Sequence, residues 1–116
     1  VVMKESYIRP HRHLGKTESF HMVEGEMDVV LFRENGEILE VIKMGLPSSG
    51  RKFFYRISEP IFHTLVLKSN LVVFHETTNG PFNREETVFP AWAPDERNPD
   101  FCKDYVNHLK ARLAQI

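Results

Sequence analysis

The chain has 116 residues, a formal net charge of −1, 41% hydrophobic residues and 27% charged ones. That is one domain's worth of chain, with apolar material for one core and no composition of a disordered segment. It carries no basic excess to draw nucleic acid or an anionic membrane, and no apolar run long enough to span a bilayer, so neither partner class is expected.

The start, Val1-Val2-Met3-Lys4-Glu5, lacks a secretory signal pattern, and the lone Cys102 cannot form an internal disulfide. A reducing, cytoplasmic setting is expected from these features. A first residue of valine fits a processed, tagged or truncated chain.

In chain order, residues 6–10 form a brief mixed segment. Glu18–Glu24 is a strand candidate, and Gly25-Glu26 turns it into a second, Met27–Phe32. Asn35-Gly36 is a two-residue hairpin signal, because both types tolerate positive φ, and Ile38–Met44 is the return strand. Leu46-Pro47-Ser48-Ser49-Gly50 has loop chemistry. Residues 53–57, His63–Leu67 and 71–77 are further strand candidates, the last two separated by Ser69-Asn70.

Short strands without intervening helices predict a mainly β, antiparallel sandwich or barrel. Residues 79–98 hold three prolines and little periodicity; they read as a covering loop anchored by Phe82, Phe89 and Trp92. Asn98 and Pro99 suit an N-cap and first helical position, and Phe101, Tyr105, Val106, Leu109 and Leu113 recur at helical spacing. The expectation is a single domain over 1–116: barrel at about 6–78, covering loop at 79–98, helix at about 99–115.

The chemistry is concentrated in Pro10-His11-Arg12-His13-Leu14-Gly15-Lys16-Thr17-Glu18. Alternate side chains of a strand share a face, so His11 and His13 project together as a chelating pair. After four intervening residues Glu18 opens the next strand beside them with an anionic oxygen. His63, after Pro60, is the candidate fourth ligand. Three imidazoles and one carboxylate suit one divalent Fe, Mn, Zn, Ni or Cu ion better than Mg or Ca, which take all-oxygen shells.

His-x-His, four residues, Glu, six residues, Gly resembles the first motif of the cupin superfamily. Chance coincidence of those fixed positions in a chain of this composition is on the order of one in a thousand. Pro60-Ile61-Phe62-His63 matches the second motif only in part: the glycine is absent and the spacing is one step tighter. Ser6-Tyr7-Ile8-Arg9-Pro10-His11-Arg12-His13, His63-Thr64-Leu65-Val66, Gly80-Pro81-Phe82 and Phe89-Pro90-Ala91-Trp92-Ala93-Pro94 resemble the blocks of the WbuC-type cupin metalloproteins, in the same order. Members of that family usually carry a further segment ahead of the first block.

The resemblance, which runs to residue 94 and leaves the C-terminal helix to be read from its spacing, implies a single-domain metal-binding cupin (antiparallel β-barrel or jelly roll), a bacterial setting and a link to surface polysaccharide metabolism. The substrate class it favours is a sugar or sugar-derived acid.

Arg9 shares the parity of His11 and His13, so it is a candidate to pair with a substrate carboxylate or phosphate; a rim ion pair is the competing reading. Tyr7 and Tyr55 are candidate hydroxyl contacts or packing residues. Glu76, at an acidic position of the resembled family, is a candidate to orient a ligand histidine. His21, His75 and His108 are expected to face away from the site. The expected function is a metal-dependent enzyme on a small polar molecule, of isomerase/epimerase, hydrolase or dioxygenase type. The alternative is a non-catalytic ligand-binding or sensing module with a structural or anchoring metal. A homodimer is expected because edges of small barrels pair readily.

Overall fold

The structure is a computed structural model, and it describes residues 1–3, 6–79 and 87–116. Its strands are β1 (Val2–Met3), β2 (Arg12–His13), β3 (Glu18–Glu24), β4 (Met27–Phe32), β5 (Ile38–Met44), β6 (Phe54–Ile57), β7 (His63–Leu67), β8 (Leu71–Thr78) and β9 (Thr87–Val88); a single α-helix, α1 (Pro99–Leu113), ends the chain. They form a four-stranded sheet ordered β1-β8-β3-β6, a three-stranded sheet ordered β5-β4-β7, and a β2-β9 pair. Every pairing within these sheets is antiparallel.

The strand pattern explains where the core lies. On β3 the alternation is strict at first, with Glu18, Phe20 and Met22 buried and His21 exposed between them. Phe20, Met22, Ile57 and Val72 from the larger sheet meet Met27, Val29, Leu31 and Leu65 from the smaller one in the main core cluster. β4 is buried along its whole length because both its faces are covered. Its odd positions enter the main core, whereas Val30 and Phe32 face a second cluster with Phe62, Val66, Leu109 and Leu113. This second cluster is where α1 packs.

Asp28 is the charged exception on β4. It is 2% exposed, and Arg51 lies at 2.6 Å and Lys68 at 3.6 Å, so its desolvation is offset by paired charge.

The expected barrel is not closed. A one-residue bridge, His11↔His63, joins the segment before β2 to β7. Pro10 has no N–H, and the Thr64 hydroxyl donates to the Ile8 carbonyl, so the ladder does not lengthen there. The outcome is two sheets packed face to face over a core and open along one side. The β4–β5 hairpin forms, but its loop is wider than the expected two-residue turn. Arg33 N–H donates to Glu37 O, Gly36 N–H donates to Arg33 O, and a bulge lies between Leu31 and Phe32.

Three details of the C-terminal third differ from expectation. Thr87 and Val88 pair with β2, so residues 79–98 are not loop throughout. Trp92 anchors that segment, donating to Glu34 O at 2.8 Å and stacking near Phe32, Phe62 and Tyr105. Phe89 is 45% exposed and anchors nothing in the core, while Phe82 and residues 80–81 lie outside the described residues. On α1, Cys102 is buried and Phe101 is 67% exposed, because the stripe through Leu109 and Leu113 passes through position 102 in the first turn. Asn98 makes no side-chain capping bond; its carbonyl accepts from Cys102 N–H. No helix among the described residues is long and apolar enough to cross a membrane.

Candidate metal centre

Local geometry assembles the cluster from three chain segments. Pro10 is fully buried and leads into His11, whose backbone exchanges hydrogen bonds with His63 at 3.1 and 2.9 Å. That exchange sets the two imidazoles side by side, with ring centroids 4.6 Å apart. His13, two residues on, shares the face of His11, with centroids 4.9 Å apart. Gly15, at φ 73°, lets the chain double back, and the Asn79 side chain accepts from Thr17 N–H at 2.7 Å. Glu18 therefore opens β3 directly beside the histidines.

One ligand atom from each of His11, His13, Glu18 and His63 lies within 4.8 Å of the other three. Donors at about 2.1 Å from a shared ion stand at most about 4.2 Å apart. Side-chain adjustments of a few tenths of an ångström therefore reach a common ion. Glu18 and His63 are buried, while His11 and His13 keep partial access.

The hydrogen bonds around the rings fix how each one presents itself. His11 Nδ1 donates to Arg9 O at 2.7 Å and His63 Nδ1 donates to Ile61 O at 3.0 Å. His13 Nδ1 lies 3.1 Å from the Thr87 hydroxyl. A carbonyl can only accept, so the proton of His11 and of His63 sits on Nδ1 and leaves Nε2 as a lone pair. The Nε2 atoms of His13 and His63 meet the two oxygens of Glu18, His63 at 3.2 Å and His13 closer. Lone pairs crowded in this way call for a cation among them.

Electrostatics favours the same protonation state. Burial, reinforced by His63 and His13, pulls His11 down to about 4. Burial likewise lowers His13, with His63 and Lys16 adding to it against the pull of Glu18. Burial raises Glu18, but His63, His13 and His11, whose protonation would set a hydrogen-bond donor and positive charge beside it, outweigh that and hold the carboxyl below its ordinary range. Neutral imidazoles and an ionised carboxylate are the forms that bind metal.

Two cavities flank the cluster. The inner one, about 500 Å³, is bordered by all four candidate ligands together with Val2, Ile8, Phe20, Leu65, Phe74, Lys16, Glu76 and Thr78. The outer one, about 650 Å³, touches His11 and His13 and is edged by Tyr7, Arg9, Thr87, Phe89 and Glu96. A further hollow of about 490 Å³ against α1, lined by Tyr7, Pro99, Cys102 and Lys103, holds none of the candidate ligands.

The remaining candidates separate clearly. Arg9 stacks on Phe89, with 4.4 Å from its guanidinium carbon to the ring centroid, and stands 3.5 Å from Asp95; its Nε has no partner. Tyr7 lines the outer cavity, but its hydroxyl donates to Pro94 O at 2.8 Å, and burial keeps its pKa raised. Tyr55 is opposite Phe20 across β3 and β6 and packs on the main core; it lines neither cavity. It is therefore a packing residue, placed so because its strand position faces the core beneath the cluster. Glu76 is solvent-exposed as a residue, yet its carboxyl borders the inner cavity beside Glu18. Desolvation and the charge of Glu18 raise its pKa. Its main neighbour is therefore the Glu18 carboxylate, with His63 acting on it more weakly. His21, His75 and His108 are exposed.

Thr87 is the residue that sequence reasoning missed. It reaches His13 only because β9 pairs with β2, and a two-residue strand leaves no periodic signal. Lys16 was also unmarked, although it lies in the turn that any His-x-His to Glu connection must make.

Fold and site together define a mainly β protein with a half-buried three-histidine, one-carboxylate cluster that can hold a metal ion. Residues 1–44 match a family described as "Domain of unknown function (DUF6016)", a similarity over less than half of the chain. The matched stretch contains His11, His13 and Glu18 and ends before His63. No curated protein matches the chain.

Proposed function

We propose that His11, His13, Glu18 and His63 bind one divalent transition metal, and that the protein is a cupin-type metal-dependent enzyme acting on a small oxygen-bearing molecule. The observation that carries this reading is the anchoring of all three imidazoles through Nδ1, with the Nε2 atoms of His13 and His63 on the two oxygens of Glu18 and a ligand atom of His11 within 4.8 Å of theirs. Two packed sheets bordering a cavity beside a His-x-His segment support the cupin assignment. A bound ion would supply a Lewis acid for an oxygen of the substrate.

The chain's own residues supply the rest. Four protein donors leave one or two positions free on a five- or six-coordinate ion, and the inner cavity gives a small molecule room beside them. The resemblance to polysaccharide-associated cupins favours a sugar acid as that molecule. Arg9, at the outer cavity, offers its guanidinium to an anionic group.

Elemental analysis of untagged protein tests the proposal. One equivalent of Fe, Mn, Zn, Ni or Cu per chain is expected, falling to a small fraction in His11→Ala and Glu18→Ala. Full stoichiometric metal in both variants would refute the ligand assignment.

A further inference from the structure

The inner cavity has a chemistry of its own. Part of its wall is the candidate metal cluster, and a second part is the apolar set Val2, Ile8, Phe20, Leu65 and Phe74. Phe20 and Leu65 are core residues at 2% and 9% exposure, whereas Val2, Ile8 and Phe74 are only partly covered and keep apolar surface turned to the open space. Phe20 and Phe74 meet edge-on, with centroids 5.6 Å apart. Polar groups other than the cluster are Lys16, Glu76 and Thr78.

Resting on the metal reading above, we infer that the ligand of this site is a short 2-hydroxy or 2-oxo acid with a branched aliphatic or aromatic side chain. Its paired oxygens face the metal, and its side chain lies on the Val2–Ile8–Phe74 wall. Two physical reasons lead there. Two free positions on a six-coordinate ion match two vicinal oxygens of one ligand. A polyol chain placed on five apolar side chains would leave its hydroxyls without partners, at a cost that an aliphatic or aromatic group does not incur. The resemblance-based sugar acid and this amphiphilic acid share a head and differ in the tail, so a ligand series separates them.

The test uses protein loaded with Co(II), whose visible absorption reports changes of coordination. Lactate, gluconate, 2-hydroxy-4-methylpentanoate and mandelate are titrated in turn; all four carry the same 2-hydroxy acid head. Mandelate or 2-hydroxy-4-methylpentanoate is expected to bind about tenfold or more tighter than lactate, from the apolar area each buries, with gluconate no tighter than lactate. Val2→Asp, at the edge of its sheet, is expected to shrink that difference to within about threefold. Equal affinities across the series, or gluconate the tightest, would overturn the inference while leaving the metal reading intact. Absence of bound cobalt would overturn the metal reading and this inference with it. The comparison on the unaltered protein decides even if Val2→Asp does not fold.

Discussion

His11 and His63 exchange both of their backbone hydrogen bonds, at 3.1 and 2.9 Å, and by doing so bring two distant parts of the chain to one point. Each then ties its own Nδ1 to the carbonyl two residues earlier, Arg9 for His11 and Ile61 for His63. The two rings are thus oriented by the same local device on both sides of the bridge. The cluster is a product of backbone pairing first and side-chain chemistry second.

That order has a consequence for His63→Ala. The backbone bridge survives the substitution, so the fold should hold, while affinity for Zn(II) should fall by at least about a hundredfold, more than the loss of an outer partner causes. Zn(II) titration against a competing chelator, with circular dichroism as the fold control, measures both. Unchanged Zn(II) affinity would remove His63 from the ligand set.

Thr87 gives a subtler test. Its hydroxyl holds His13 Nδ1 at 3.1 Å from a strand that pairs with β2. Thr87→Val keeps the shape and removes the hydroxyl, so metal affinity should drop about tenfold with little change in stability. An effect on stability alone would mean that Thr87 serves the strand and not the histidine.

Stability of the metal-free protein should depend on pH in a defined direction. His11 titrates near 4 when folded, below its ordinary value of 6.5, because burial and the neighbouring imidazoles disfavour its charge. Between these values the unfolded chain binds more protons than the folded one, so stability is full above pH 6.5 and is lost as the pH falls toward 4. The loss from this group is on the order of 2 kcal/mol. Urea unfolding of chelator-treated protein at pH 7 and pH 4.5 should show it, and His11→Asn should flatten the dependence.

Gly36 tests the anchoring of the C-terminal third. It sits at φ 93°, and a Cβ there would meet the Trp92 ring at 2.9 Å. Gly36→Ala should cost about 1–3 kcal/mol, from the backbone conformation and the displaced indole together. Trp92 is the chain's single tryptophan, so its fluorescence reads the displacement directly alongside a urea melt. A native emission spectrum with unchanged stability would contradict the contact.

Much of this molecule was legible in its sequence because the signals are local. Apolar residues on either side of the Gly25-Glu26 turn marked β3 and β4 as strands, and the structure shows β4 buried along its whole length. The parity of His11 and His13, with Glu18 after a short turn, announced a chelating set that the structure draws together. Phe101 and Cys102 show where such signals weaken: one-residue rotation of the helical stripe exchanged their places, since spacing alone does not say which flank of the stripe meets the sheet.

Local periodicity and turn chemistry were therefore enough to determine the longer strands, the terminal helix and the first three candidate ligands, all of which depend on neighbours a few residues away. Tertiary structure alone decided that the sheets stay open, that Tyr55 belongs to the core, that Thr87 reaches His13, and that part of the cavity wall beside the cluster is apolar. Each of these depends on which strands pair and which faces meet, a cooperative outcome of burying the whole core that no short stretch of chain encodes.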